Sequence, residues 1–310
     1  MDLRASVKKC FLDAGRTCLE LFKIMIPIVI GVKVLQELGL IKYLAVPLAP
    51  LMELVGLPAQ TGLVWATAIL NNLYAGIIVY LALLPDLPPP TVAQVTVLCT
   101  MMLIAHNLLV EARIVQKCGV SFWGQFLLRL LGALACGVCL HLVFSRFHLL
   151  AGPGRVLWRP EAGETSLWAW TLGQLQNLVA IFVIILLLMS LMRALNHFKI
   201  TNVFIRVLQP VLKVMGIGRP AAVITIIGLT MGIAYGGGLI IHEVRHGHLE
   251  KRDVFAAASL MGLSHALIED TLLMTMLGAS PWGILWGRLA FSMVVVAALT
   301  RLAGGRPEPE

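Results

Sequence analysis

Two apolar stretches of this chain are interrupted by histidines accompanied by carboxylates. The segment AHNLLVEA contains His106, Asn107 and Glu111, and the segment SHALIEDT contains Ser264, His265, Glu269 and Asp270. A charged side chain at the centre of a membrane costs on the order of 2.5 to 3.5 kcal/mol, so such groups must pair or line water. Carboxylates there bind a cation or a proton. A histidine, with an ordinary pKa of about 6.5, can shuttle protons or hydrogen-bond a polar solute.

The histidines also allow a structural interpretation. Each could hydrogen-bond a neighbouring carboxylate only to hold two helices together, as polar side chains do within membranes. The recurrence of the histidine in two similar segments favours a binding site instead, because transporters with inverted repeats place their substrate where two interrupted helices meet. If the second segment is helical, His265 and Glu269 share one helix face.

Further polar or small residues lie inside neighbouring apolar segments. Asn71 and Asn72 can bind a ligand or an ion, whereas Tyr235, Gly236 and Gly237 begin a YGGG run that permits close helix approach or local unwinding. We include all five in the candidate site. No lysine or arginine lies within the motifs, so an anionic solute would depend on helix N-termini or on protonated histidine.

The sequence HEVRH matches the helical zinc motif H-E-x-x-H. A membrane-embedded metalloprotease would use His242 and His246, with Glu269 as the third ligand. However, the charged residues that follow are typical of a helix end in water. We therefore expect no enzymatic activity, no catalytic residue, no resident metal and no cofactor, apart from a possible coupling cation or proton.

The composition predicts an all-α integral membrane protein. Hydrophobic residues make up 59% of the 310 residues and charged residues 13%, with a mean hydropathy of +0.89. Soluble domains are roughly 45 to 50% apolar. Several apolar runs approach the ~20 residues that cross a bilayer as a helix. The six cysteines are scattered, and the net charge of +8 comes from basic residues beside apolar runs, which argues against nucleic-acid binding.

The chain also contains an internal repeat. Residues 32–76 align with 192–236, and 105–130 align with 264–289, which pairs His106 with His265 and Arg129 with Arg288. Each half is expected to contain an opening span (19–41 and 168–191), an amphipathic connector, a second span, a broken segment and a closing span (121–146 and 281–302). The predicted second spans are 59–84 and 219–242, and the predicted broken segments are 91–118 and 253–277.

Basic residues concentrate in the connector 193–219 but not in its counterpart 33–59, which favours inverted repeats. An odd number of crossings per half then requires each broken segment to enter and leave by the same face. In this arrangement the loop 243–253, with Arg245, Lys251 and Arg252, would lie on the side opposite the connector 193–219.

The repeat divides the chain into five regions. They are an amphipathic cytoplasmic N-terminal segment (1–18), a first repeat (19–146), a linker (147–166), a second repeat (167–302) and a tail (303–310).

The segments YGGGLIIHEVRHG (235–247) and KRDVFAAASLMGLSHALIEDTLLMTMLG (251–278) resemble the nucleoside-recognition, or Gate, domain family of bacterial membrane proteins. Relatives include spore maturation proteins and the membrane part of the bacterial ferrous iron transporter. The resemblance implies one Gate-like unit per half, re-entrant helical hairpins, a transport or gating role, and an architecture similar to concentrative nucleoside transporters. The first half departs from the pattern at Ala105 and Val110, which stand where the second half has Ser264 and Glu269.

We therefore expect a secondary transporter for a small polar solute or ion in a bacterial inner membrane, with the N-terminus in the cytoplasm. Its partners would be that solute or ion and membrane lipids, with a possible homo-oligomer and no nucleic acid. The alternatives are the zinc metalloprotease and a membrane assembly subunit that does not transport.

Overall fold

The protein is built from α-helices, as the sequence predicts. A computed structural model describes residues 3–156, 167–197, 208–213, 215, 217–245 and 249–303, where the only β feature is a bridge between Thr91 and Pro153. The first half contains α1 (Leu3–Glu37), α2 (Ile41–Ala45), α3 (Ala49–Leu54), α4 (Thr61–Leu70), α5 (Leu73–Leu83), α6 (Val92–Ile104), α7 (Leu108–Lys117) and α8 (Phe122–Arg146). The second half contains α9 (Leu167–His197), α10 (208–213), α11 (Arg219–Met231), α12 (Ile233–Arg245), α13 (Lys251–Ser264), α14 (Glu269–Thr275), a π-helical turn (Trp282–Gly287) and α15 (Arg288–Ala303).

Four described segments are long and apolar enough to cross a membrane. They are Val92–Lys117, Phe122–Arg146, Trp170–Leu195 and Trp282–Leu302. The predicted opening span 19–41 is not among them, although α1 runs through most of it as one helix. Charged residues interrupt its apolar sequence at Glu20, Lys23 and Lys33.

The surface of the helices fits a lipid environment. Trp123, Trp168 and Trp282 lie exposed near the N-terminal ends of α8, α9 and the π-helical turn, where membrane proteins place their interfacial tryptophans. By contrast, every side chain from Val95 to Ile104 is buried, so α6 lies in the centre of the molecule.

Helices α4 and α5 form a re-entrant hairpin. In one continuous helix, Ala68 and Gly76 would lie about 12 Å apart along the axis. Instead, a Cβ atom added to Gly76 would lie 2.9 Å from the Cβ atom of Ala68, so the two arms pack against each other. The turn falls at Asn71 and Asn72. The side chain of Asn72 accepts a hydrogen bond from the Ala75 N–H and thereby caps α5.

Helices α11 and α12 repeat this hairpin in the second half. The chain turns at Gly232, where φ is +97°, and a Cβ atom added to Gly236 would lie 2.7 Å from the Cα atom of Gly228. The prediction that 59–84 and 219–242 each cross the membrane was therefore wrong. Asn71, Asn72 and Gly232 end the first arms, and small residues then let the second arms fold back against them.

Helices α6 and α7 together form the broken crossing of the first half. Helix α8 returns alongside both of them: its Arg129 reaches Glu111 on α7, whereas its Gly137 packs on Met101 of α6. Because α8 passes α7 first and α6 later, α6 and α7 lie end to end. The predicted hairpins in 91–118 and 253–277 are therefore breaks within crossing segments. The predicted re-entrant hairpins exist, but they lie one element earlier in each half.

The two halves run in opposite directions. Near the start of α6, the hydroxyl of Thr96 accepts a hydrogen bond of 2.9 Å from the Ser280 N–H, beyond the end of α14. At the other end, Val115 of α7 and Cys118 just after it pack in one cluster with Val254 near the start of α13. The end of each broken crossing thus lies beside the beginning of the other, as inverted repeats require.

One side of the molecule, here called the basic face, carries a group of lysine and arginine residues. It contains the end of α7 and the start of α13. The basic residues on this side include Arg113, Lys117, Arg193, Lys213, Lys251, Arg252 and Arg301. Because 219–245 is a hairpin, the connector 243–253 returns to the same side as 193–219. The expectation that Lys251 and Arg252 lie opposite that connector was wrong for this reason.

A dihistidine centre between two interrupted helices

His106 and His265 meet at the point where the two halves face each other. Their Nε2 atoms lie 3.2 Å apart, and both side chains are buried. The Nδ1 atom of His106 lies 3.0 Å from the carbonyl oxygen of Met102, and that of His265 lies 2.9 Å from the carbonyl oxygen of Met261. A carbonyl oxygen can only accept, so each Nδ1–H donates. In the neutral rings both Nε2 atoms therefore present lone pairs to each other.

The breaks in the two crossing segments place these rings. Asn107 and Ala266, which follow the two histidines, have φ values of +46° and +48°. Asparagine tolerates this left-handed region, whereas alanine is strained in it. The Asn107 N–H donates to the carbonyl oxygen of Ala68 over 2.9 Å, and the Leu267 N–H donates to that of Leu229 over 2.7 Å. Each hairpin thus supports the break of its own half.

Glu111 is the carboxylate of the first half that reaches the rings. Its Oε1 atom lies 3.7 Å from Nε2 of His106 and 3.4 Å from Nε2 of His265. Its Oε2 atom accepts a hydrogen bond of 2.5 Å from Arg129, which is 1% exposed. The Arg129 guanidinium also donates to the carbonyl oxygens of Ile104 and His106, over 2.8 and 2.9 Å. Arg129 therefore holds both the carboxylate and the broken backbone.

Asp270 is the corresponding carboxylate of the second half. One of its oxygen atoms and one ring nitrogen of each histidine lie within 4.8 Å of one another. The Oδ2 atom of Asp270 is buried without a hydrogen-bond partner in the described part of the chain. The Glu111 carboxylate is held by an arginine, whereas that of Asp270 is not.

Arg288 corresponds to Arg129 in the repeat but is bound differently. It is fully buried, and among the described residues none of its three guanidinium nitrogens has a hydrogen-bond partner. It lies close enough to Asp270 for electrostatic attraction. The serine that the second half adds, Ser264, is also buried, and its hydroxyl donates to that of Ser292 over 2.7 Å. The two halves therefore share the same helical arrangement but differ in how their polar side chains are bonded at the centre.

The remaining predicted site residues lie around the centre or outside it. Asn71 and Asn72 form the turn of the first hairpin, and Asn107 lies in the break. Gly236 and Gly237 act in packing: Gly236 lies against Met261, and a Cβ atom added to Gly237 would lie 2.6 Å from Ile114. The side chain of Tyr235 is outside the described part of the structure.

Glu269 does not share a helix face with His265. The backbone of His265 is extended, and α14 begins only at Glu269, so the i, i+4 relation of a continuous helix does not exist there. Asp270 takes the place near the rings. This exchange follows from the break, which changes the direction of every side chain after it.

The residues of the H-E-x-x-H motif are not brought together with Glu269. His242 is exposed near the end of α12, about 15 Å along that helix from the turn at Gly232. Glu269 begins α14, next to the break that contacts Leu229 at the inner end of the hairpin. His246 lies outside the described residues. The geometry thus favours the dihistidine centre over the protease motif.

The two arginines were absent from the predicted site. We expected basic groups to be missing because none lies within the polar motifs, yet α8 brings Arg129 into the centre and places Arg288 of α15 near Asp270. The internal repeat could have indicated both arginines, because it aligns Arg129 with Arg288. Both lie in apolar segments, where a charged side chain is energetically costly.

Comparison with known proteins identifies one family and one relative that this chain resembles. Residues 178–280 match the family described as nucleoside recognition, or Gate. The predicted resemblance is therefore confirmed for the second half. The chain is also 28% identical over 304 residues to the uncharacterized membrane protein YvoD of Bacillus subtilis (strain 168), covering 94% of this chain and 95% of that protein. No solved structure shows a significant match. These similarities support a membrane role related to transport, without indicating a substrate.

Proposed function

We propose that this protein is a secondary carrier that moves a small polar solute or an ion through the dihistidine centre. The observation that carries the proposal is the meeting of His106 and His265 at the breaks of two antiparallel crossing segments. Interrupted helices place polar groups inside a membrane without exposing unpaired backbone to lipid. Inverted repeats with such helices allow a central site to open to either side in turn.

The hairpins provide the moving parts of this mechanism. Each hairpin enters from one face and reaches the break of its own half, so the two hairpins approach the centre from opposite sides. Displacing one hairpin would open the centre to one face, while the other keeps it closed. Asn71 and Asn72 at the first turn, and Asn107 in the break, contribute polar groups along this route.

A cation or a proton compensates the charge at the centre. Glu111 is balanced by Arg129, whereas Asp270 has no hydrogen-bonded partner in the described structure and lies within 4.8 Å of both rings. A bound positive charge would pair directly with that carboxylate, which Arg288 attracts without a hydrogen bond, and would separate the facing Nε2 lone pairs. Transport of the solute would then be coupled to that cation, with no further cofactor.

The basic face lies in the cytoplasm under this proposal. Lysine and arginine concentrate on the cytoplasmic side of membrane proteins, and the basic face contains Lys213 of α10 and Lys251 and Arg252 of α13. The start of α1 lies on the same side, because Asp13 pairs with Arg193 near the end of α9. The setting would be a bacterial inner membrane.

Reconstituted uptake tests the proposal. Proteoliposomes would be tested for saturable uptake of nucleosides, divalent metals and small carboxylates, with either side of the membrane made acidic in turn. We expect His106→Asn and His265→Asn to abolish uptake. Asparagine keeps a short donor toward the Met102 or Met261 carbonyl but places nothing at the Nε2 position.

The matched control is His148→Asn, which changes an exposed histidine after α8 where φ is +51°, a conformation that asparagine accepts. It should retain wild-type uptake. Uptake that persists in both central variants would contradict the proposal. Absence of uptake for all three solute classes, together with copurification of a stoichiometric membrane partner, would instead support an assembly subunit.

A further inference from the structure

We infer that the dihistidine centre binds one transition-metal dication of the zinc type through His106, His265 and Asp270. This inference deepens the proposed function, because it names the ion that occupies the same centre. The donor set comprises two imidazole nitrogens and one carboxylate oxygen, which all lie within 4.8 Å of one another.

The separation of the two rings fits a shared metal ion. Zinc–nitrogen bonds of about 2.0 to 2.1 Å at a tetrahedral angle place two nitrogen ligands about 3.3 to 3.4 Å apart. The observed separation of the Nε2 atoms is 3.2 Å. Asp270 has to approach only modestly to complete three protein ligands, which leaves a fourth position for water or for the Oε1 atom of Glu111.

The surroundings of the rings are those of metal ligands. A histidine that binds a metal usually donates its other N–H to a carbonyl or carboxylate, which fixes the ring and its tautomer. Both rings do so here, toward Met102 and Met261. Arg129 holds Glu111 beside them, so that this carboxylate can accept from a bound water or act as a fourth ligand.

A shared proton is the competing occupant. A proton between the two Nε2 atoms would make one hydrogen bond across 3.2 Å, but it would leave the buried Oδ2 atom of Asp270 without a partner. A dication engages both rings and the carboxylate together. The donor set therefore favours the metal.

The class of metal follows from the ligands. Imidazole suits zinc, iron, cobalt and similar ions, whereas magnesium and calcium prefer oxygen ligands throughout. The site lacks thiolate, because Cys99 and Cys118, which are both buried, are not part of the described donor group. A tetrahedral cobalt(II) complex formed here should consequently show visible ligand-field bands without the near-ultraviolet sulfur-to-cobalt band.

The test uses the full-length protein in detergent after treatment with a chelator. Zinc binding is measured by calorimetry and by metal analysis after gel filtration, and cobalt binding by absorbance. We expect one ion per chain and the thiolate-free tetrahedral spectrum. His106→Asn, His265→Asn and Asp270→Asn should each weaken binding by at least about 100-fold, since even outer-shell changes reduce metal affinity about 10- to 100-fold. His148→Asn should bind as the wild type does.

Several results would overturn the inference. They are zinc affinity unchanged in His106→Asn and His265→Asn, a cobalt spectrum with thiolate character, and the absence of stoichiometric binding in the wild type. If a variant does not elute as a folded protein, the cobalt spectrum of the wild type still decides the donor set. Stoichiometric metal binding without any solute uptake would refute the proposed carrier function but support the metal site. Solute uptake that needs no metal, in a protein that binds none, would support the carrier function and refute the metal site.

Discussion

Arg129 and Arg288 occupy equivalent positions in the two repeats, yet replacing them should have very different effects on stability. Arg129→Met removes three hydrogen bonds and leaves the Glu111 carboxylate buried without its positive partner. Breaking a buried ion pair in this way costs about 3 to 5 kcal/mol. Arg288→Met removes a guanidinium that has no hydrogen bonds in the described structure, so the loss of attraction to Asp270 is offset by relief of an unsatisfied buried charge.

The difference can be measured by thermal unfolding of the purified variants in detergent. A loss of 3 to 5 kcal/mol should lower the unfolding midpoint by about 10 °C, whereas Arg288→Met should change it by only a few degrees in either direction. A double-mutant cycle isolates the ion pair: in a Glu111→Leu background, Arg129→Met should cost much less than it does alone.

Equal destabilisation by the two arginine variants would refute this reasoning. It would mean that Arg288 is held as firmly as Arg129, and that the two halves are not electrostatically unequal. Unchanged cost of Arg129→Met in the Glu111→Leu background would likewise show that its contacts with the Ile104 and His106 carbonyl oxygens, rather than its charge, are what matter.

Two further outcomes follow from the hairpins. Gly236→Ala should destabilise the protein by about 1 to 3 kcal/mol, because the added Cβ would lie 2.7 Å from the Gly228 backbone, whereas Gly238→Ala, which meets nothing within 4 Å, should be neutral in the same unfolding assay. Single cysteines introduced at Glu250 and at Asp86 of an otherwise cysteine-free variant should react with membrane-impermeant reagent from opposite sides of the membrane, with position 250 protected in intact cells. Labelling of both positions from outside would contradict the hairpin at 219–245.

Much of the candidate site could be predicted from the sequence, because charged and polar residues within apolar stretches are energetically costly and easy to recognise. His106, Glu111, His265 and Asp270 interrupt apolar stretches, and the structure brings all four together. From the sequence, Glu269 was an equally suitable candidate, but its predicted position on the same helix face as His265 required a continuous helix. The break after His265 removed that relation and brought Asp270 toward the rings instead.

The order of the elements was harder to predict than their existence. Hydropathy shows that 59–84 is apolar and long enough to cross a membrane, but it does not show whether the chain turns inside it. The turn at Asn71 and Asn72 depends on the other arm packing against small residues, which is a contact between segments. The assignment of 243–253 to the wrong side followed directly from missing the equivalent turn at Gly232.

The amino-acid sequence by itself determined that the protein lies in a membrane, that its two halves are repeats, and which polar groups lie at the centre. Composition, internal repetition and charged residues within apolar stretches can all be recognised without knowing how the chain folds. Only the tertiary structure decided that two Nε2 atoms face each other and which carboxylate reaches the rings. It also decided that each guanidinium nitrogen of Arg129 is hydrogen-bonded, whereas those of Arg288 have no partner among the described residues. Those facts depend on how α8 and α15 pack beside the broken helices. Residues distant in the sequence become neighbours there, and burial makes each missing or completed hydrogen bond energetically important.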